Sequence, residues 1–257
     1  MIAARVLATV LSATLFFLVI EPTRAATRLF GRDWAPWAPK AFQRILLKGL
    51  RIRLKVEGSP APGPHVLLVP NHVSWLDVPV LGAAAPMTFL AKSEVGESRL
   101  ARLLTAAQGT IFVERGRRTA IPRVNAAMAA AMTAGRPVVL FAEATTGDGN
   151  RLLPFHSSHF ESLRPGPPEA GRFVQPVFLD YARRGGTVVD RRERPRIAWY
   201  GDMTFSPHLL QFLAGPPVEC VVTFLEPWSI PPDFDRKGVA RETRRRLRDF
   251  AAERHRT

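Results

Sequence analysis

The sequence predicts an α/β protein: a central sheet, mostly parallel or mixed, flanked by helices and preceded by an N-terminal membrane-associated helical element. Two observations lead to this class. Short apolar runs at His65–Val69, Thr88–Ala91, Thr110–Val113, Val138–Ala142, Phe173–Leu179, Ile197–Tyr200 and Val218–Phe224 alternate with helical stretches at Leu76–Ala84, Glu97–Ala107 and Pro122–Ala134. Strands that alternate with helices imply a layered sheet. Ahead of them, Val6–Ile20 runs for fifteen residues without a charge.

The elements follow in chain order. A helix over Val6–Ile20 covers about 22 Å, short of the roughly 30 Å hydrocarbon core of a bilayer, so it lies in the membrane or spans it marginally. Between Arg24 and Lys55 stand nine basic residues and one acid, Asp33. There Phe42, Ile45, Leu46 and Leu50 recur at helical spacing, Lys40, Arg44, Lys48 and Arg51 share another face, and Trp34 and Trp37 precede them. That pattern suits a helix lying on an anionic membrane surface, and equally an amphipathic helix covering a core. Residues 1–55 are therefore expected to be the membrane-associated part, and 56–257 an α/β domain closed by a basic helix over Arg236–Arg256. Pro122–Ala134 is alanine-rich and followed by Gly135, as a helix C-terminus commonly is.

Composition bounds the partners. There are 36 Lys+Arg against 22 Asp+Glu, a net charge of +14, in a chain 46% apolar. The apolar fraction excludes a disordered basic tail, and the excess charge calls for nucleic acid, an anionic membrane or an acidic substrate. A nucleic-acid surface needs aromatics among its cations. The C-terminal run offers only Phe250, so no nucleic acid is expected, and a basic nucleic-acid-binding protein stands as the alternative reading. Another alternative is a secreted hydrolase, with Arg5 and Val6–Ile20 as a signal peptide cleaved after Thr23-Arg24-Ala25. Basic flanks favour the cytoplasmic face of the inner membrane instead. A lone cysteine, Cys220, excludes a disulfide framework and reads as a small buried hydrophobe. His156 and His159 flank two serines with no carboxylate set beside them, so neither a metal nor a cofactor is expected.

The chemistry concentrates where strands end. His65–Val69 ends at Pro70, and Asn71-His72-Val73-Ser74-Trp75-Leu76-Asp77 opens the next helix. Ligands bind beyond the carboxyl ends of strands in open α/β sheets. A carboxylate at Asp77 can fix the imidazole tautomer while His72 takes a proton from a hydroxyl. Gly109–Val113 runs into Glu114 and Arg115, and Val138–Ala142 into Glu143-Ala144-Thr145-Thr146. If these strands are neighbours, a cation and a carboxylate join the histidine in one crevice. Backbone N–H groups at the His72 helix start or the Glu143 turn are the expected oxyanion donors. No Gly-x-Ser-x-Gly elbow is present.

These segments resemble, in order, the four motifs of the glycerolipid acyltransferase family of 1-acylglycerol-3-phosphate type. Asn71-His72 with Asp77 is similar to its His-x4-Asp motif, Gly109–Arg115 to its second, Phe141-Ala142-Glu143-Ala144-Thr145 to its third and Val174-Gln175-Pro176-Val177 to its fourth. The resemblance implies a membrane-associated O-acyltransferase with His72 as general base and Asp77 as its orienting carboxylate. It implies binding of the acceptor by Asn71, Gly109, Arg115, Glu143 and Thr145, and an acyl carrier protein or acyl-coenzyme A as donor. Glu143–Phe155, with Trp199–Met203 and Pro207-His208-Leu209, resembles the bacterial branch that acylates lyso-ornithine lipid, so the acceptor is a lysolipid of that kind or 1-acylglycerol-3-phosphate. Three positions depart from the family pattern: Ala142 for Pro, Ala144 for Gly and Thr146 for Arg. An alanine at 144 is strained if the turn needs a positive φ there, and Arg151 stands in the same loop as a substitute cation.

Overall fold

The computed structural model describes residues 2–29, 37–92, 110–113, 118–165 and 171–256. The expected helix Glu97–Ala107 lies outside them. Helices are α1 (Ile2–Leu15), continued by a π-helical stretch (Phe16–Ile20), α2 (Glu21–Arg28), α3 (Ala38–Leu50), α4 (Asp77–Ala84), α5 (Ile121–Thr133), α6 (Phe205–Ala214) and α7 (Arg236–Arg254). Strands are β1 (Ile52–Glu57), β2 (Val66–Pro70), β3 (Thr88–Lys92), β4 (Ile111–Val113), β5 (Val138–Val139), β6 (Phe173–Arg184), β7 (Thr187–Val188), β8 (Val218–Phe224) and β9 (Trp228–Ser229).

The sheet runs β1-β8-β6-β2-β5-β3-β4, with β7 and β9 attached to β6. From β6 to β4 every pairing is parallel, whereas β8 pairs antiparallel with β6 and parallel with β1. The sheet is therefore mixed, and β6 is the seam between its two parts. β2 is buried along its whole length. Its Val66 and Leu68 enter one core with α4, Leu47 of α3 and Phe212 of α6, and its Leu67 and Val69 enter another with α5, Phe160 and Val239 of α7. A strand covered on both faces reads as one continuous apolar run, which is why VLLVP was visible in the sequence.

Local signals place the helix ends. Pro22, Pro39 and Pro122 sit in first turns, where a missing N–H costs nothing. Gly135 follows α5 at φ +73°, and the Asp235 side chain caps α7 by accepting from the Lys237 and Gly238 amides. At Gly49 of α3 a Cβ would collide with the Thr9 side chain of α1, so the missing side chain is what lets these two helices touch.

Two strand expectations change, and two elements appear that the sequence did not announce. Ile197–Tyr200 is not a strand. It follows a 3-10 turn at Arg194–Arg196 and makes one backbone bond to the site, Trp199 N–H to Val73 O at 2.9 Å, before Gly201 turns it away at φ +59°. The ladder of Val138–Ala142 stops at Val139. β1 and α6 had no counterpart in the sequence reading, and β1 runs across the expected boundary at residue 55 to pair with β8. Among the described residues no helix is long and apolar enough to cross a membrane.

Candidate active site

The chain leaves the sheet at Pro70, and the next side chain keeps that edge closed. Asn71 donates its Nδ2 to Leu179 O (3.0 Å) and accepts Leu179 N–H at Oδ1 (2.8 Å), standing in for one more step of the β2–β6 ladder. It is 6% exposed and lines the cleft, so the residue expected as an acceptor ligand also acts as a structural bridge to β6. The backbone is then free to turn into α4.

Asp77, wholly buried in the first turn of α4, organises that turn. Its Oδ2 accepts the amides of Val73 (2.7 Å) and Ser74 (3.0 Å) and lies 2.8 Å from His72 Nδ1. Its Oδ1 accepts the Tyr181 hydroxyl at 2.7 Å. With Nδ1 held by the carboxylate, His72 Nε2 makes no hydrogen bond among the described residues, and the ring stacks on Phe141 with centroids 3.8 Å apart. This is the arrangement of an oriented imidazole. Burial, reinforced by the Asp77 charge, holds the Tyr181 phenol protonated well above its ordinary range, so it serves Asp77 as a donor.

Glu143, expected in acceptor binding, lines the cleft but is 3% exposed and has both carboxylate oxygens engaged. Its Oε1 accepts the His72 amide (2.8 Å) and its Oε2 the Leu153 amide (2.7 Å), tying the β5 turn to the histidine. Burial raises its pKa to about 7 against the pull of those two amides, with Asp77 adding to the rise and Arg244 opposing it. The turn itself forces Ala144 to φ +58°, the strained backbone its sequence anticipates. The expected oxyanion donors at the helix start are also spent: the His72, Val73 and Ser74 amides all point at carboxylates. Thr145 stays exposed on the turn. Gly109 and Arg115 lie outside the described residues; β4, which ends at Val113, is separated from β2 by β5 and β3 rather than beside it.

Two contributors were missed in the sequence. Tyr181 lies two residues past the expected strand end, but β6 continues to Arg184, and Val177, Leu179 and Tyr181 alternate onto one face. Arg244, read there as part of a charge run, donates Nε to Leu153 O (2.8 Å) and a terminal nitrogen to Leu152 O (2.9 Å). Through Leu153 and Glu143 it braces His72. On the other side Trp75 donates to His208 Nδ1 (3.1 Å), and His208 Nε2 lies 3.0 Å from Ala198 O. Desolvation lowers the His208 pKa, keeping the ring neutral, an acceptor at one nitrogen and a donor at the other.

His72 opens onto a cleft of about 320 Å³ between the β2 end, β6, the Arg194 turn and α7. A cleft with a buried Asp–His pair, braced from three elements and offering one free imidazole nitrogen, defines a site for hydroxyl-group chemistry. Known proteins say which kind. The Acyltransferase family model matches residues 53–180. The chain is 38% identical over 218 residues to a lyso-ornithine lipid O-acyltransferase of Brucella abortus, covering 84% of this chain and 82% of that protein. It is 37% identical over 225 residues to one of Pseudomonas aeruginosa, covering 86% and 82%. A 1-acyl-sn-glycerol-3-phosphate acyltransferase of Neisseria meningitidis matches at 37% over 160 residues, 62% of this chain and 60% of that one. The crystal structure of the 1-acyl-sn-glycerophosphate acyltransferase PlsC from Thermotoga maritima superposes with a TM-score of 0.63 at 18% identity, over 97% of this chain and 96% of that one, and shows the shared fold. This chain belongs to the acyltransferase family of lysolipid and 1-acylglycerol-3-phosphate type enzymes.

Proposed function

We propose that the protein is a membrane-associated O-acyltransferase, moving a fatty acyl group from an acyl carrier protein or coenzyme A thioester to a lysolipid hydroxyl. Lyso-ornithine lipid is the first acceptor, because the relatives that cover most of the chain carry that name. The acceptor proton passes to His72 Nε2 and the oxygen attacks the thioester carbonyl. The carbon–sulfur bond then breaks, and the departing thiolate takes the proton back from the imidazolium. Asp77 keeps the tautomer that this cycle requires. The observation that carries the reading is the 2.8 Å bond between His72 Nδ1 and Asp77 beside an open cleft. The specificity of 1-acylglycerol-3-phosphate is the second reading, favoured by the Neisseria relative.

Membrane association at the cytoplasmic face draws on a different region. Leu7, Leu11, Leu15 and Leu18 are each more than half exposed and follow one another at helical spacing. Phe16, on the same segment, packs against Phe42 of α3 with ring centroids 4.7 Å apart, a contact that supports reading the segment as part of the folded body. An apolar stripe flanked by basic residues fits an anionic leaflet. The C-terminal arginines, by contrast, are largely used within the protein. Arg245 pairs with Glu242 and Asp249, Arg246 pairs with Glu242 and lies over Trp228, and this leaves little of a nucleic-acid face.

The test is acyl transfer by purified protein from radiolabelled acyl carrier protein or acyl-coenzyme A to each lysolipid. Esterification that disappears in His72→Ala is the expected result. Turnover of that variant at the wild-type rate overturns the assignment.

A further inference from the structure

The cleft beside His72 carries charged groups that the acyl-transfer step does not use. α7 turns Arg244, Arg248, Ala251, Ala252 and His255 toward it, one face of a helix by their spacing. Facing them is Arg194, whose stem packs against Gly149. A Cβ at that glycine, held at φ +80°, would sit 3.1 Å from Val73 Cγ1 and 3.4 Å from Arg194 Cβ. Arg184 and Arg196 share Glu193 at 3.2 and 2.8 Å, while the Arg194 guanidinium has neither an ion pair nor a hydrogen bond among the described residues. Among the described residues Arg248 pairs only with its exposed neighbour Asp249 at 3.2 Å, a surface contact of small worth.

Oxygen acceptors stand in the same cleft. Asp180 is one residue beyond Leu179 on β6, about 3.3 Å further along the strand from the level where Asn71 is bound. Its side chain is 15% exposed and accepts no hydrogen bond among the described residues; its nearest cations, Arg254 and His255, are 3.8 and 3.7 Å away. Asn150, also lining the cleft, buries its Oδ1 without a partner. A buried acceptor left unpaired costs free energy until a donor arrives. A dianionic phosphate would satisfy the arginines but would offer no ammonium to Asp180, whose charge Arg254 and His255 offset from 3.8 and 3.7 Å, and no donor to Asn150 Oδ1. A head that carries both a carboxylate and an ammonium satisfies both sets.

We infer that this cleft is the acceptor head-group site and that it selects a zwitterionic amino-acid head, the carboxylate at Arg194 and Arg248 and the ammonium at Asp180 and Asn150 Oδ1. The inference rests on the lysolipid acyltransferase reading above and adds the residues that choose the acceptor. The test is kcat/KM of the full-length protein in mixed micelles for lyso-ornithine lipid and for the same lipid with its side-chain ammonium acetylated, in wild type and in Asp180→Asn. Loss of a charged hydrogen bond is expected to favour the free ammonium about ten- to hundredfold in wild type. That ratio falls toward unity in the variant. The paired measurement with the carboxylate as its methyl ester behaves the same way in Arg194→Gln. A variant that merely loosened α7 would slow both acceptors alike, so an unchanged ratio in both variants overturns the inference. A wild type that acylates 1-acylglycerol-3-phosphate but not lyso-ornithine lipid overturns it while leaving the transferase reading intact. A wild type that acylates no lysolipid overturns the functional reading and this one with it.

Discussion

Two regions of the described chain, the site around His72 and the N-terminal helix α1, solve the problem of exposed chemistry in opposite ways. Around His72 the polar groups are matched internally: Asp77 serves four donors from two stretches of chain, Glu143 serves two, and both are almost completely buried. Along α1 the apolar groups are left unmatched, with Leu7, Leu11, Leu15 and Leu18 between 58% and 72% exposed and only a small cluster of Phe16, Ala38 and Phe42 beneath them. A buried polar network has to be complete because each orphan costs free energy, whereas an apolar stripe can wait for a solvent that suits it. The difference teaches that the first region is finished by the protein and the second by its surroundings.

Five experiments bear on that contrast. His72→Ala should lower turnover by about 10²- to 10⁴-fold, the usual contribution of a general base, while leaving vesicle binding as in wild type; a joint loss of both would merge the regions. Glu143 gives the pH signature of the finished side. Its native pKa of about 7 lies above the ordinary 4.5, so the native state binds more protons in between. Its contribution is therefore whole below about pH 4.5 and is lost as pH rises through about 7, on the order of 3 kcal/mol in all. Denaturant titrations of Glu143→Gln should lack that decline. On the unfinished side, Leu11→Asp with Leu15→Asp should weaken binding to anionic vesicles by about a hundredfold, since each leucine withdraws an apolar side chain from lipid. Turnover of a water-soluble short-chain acceptor should barely change. Arg244→Met should reduce kcat about tenfold with less effect on KM, because the brace on Leu152 and Leu153 acts through Glu143 rather than on substrate. The smallest effect belongs to Ala144→Gly. It relieves a φ of +58° and should add no more than about 1 kcal/mol of stability, read as a rise of a few degrees at most in Tm.

What the sequence disclosed follows the same division. β2, β6 and β8 were legible because strands inside a covered sheet are continuous apolar runs, and the His72–Asp77 pair because both partners sit in one turn. β1 was hidden, since its Arg53 and Lys55 alternate outward at the sheet's edge and blend into the basic stretch before it. α6 was obscured by Pro207 near its start and by an apolar face shared with the Trp75 side chain. Glu143 was located by its motif, but its bonds to the His72 and Leu153 amides could not be read there: a motif gives a residue's place, not its partners. Tyr181 and Arg244 act over separations of 104 and 91 residues, which no local pattern encodes. The C-terminal charge, which by composition suggested docking to an acidic partner, is mostly consumed in ion pairs along α7 and in bracing the loop beside the site.

Asn71 carries a consequence for which side chains this turn tolerates. Its amide imitates a peptide group, giving and taking one bond with Leu179 where the main chain has already departed. An aspartate of the same shape keeps the acceptor and forfeits the donor, a serine is too short to reach, and a glutamine overshoots by a methylene. Among the common side chains only asparagine matches both length and polarity, so this position is nearly without synonyms in the genetic alphabet, whatever its contact with lipid. A residue of that kind marks where a fold, rather than a reaction, has fixed the spelling.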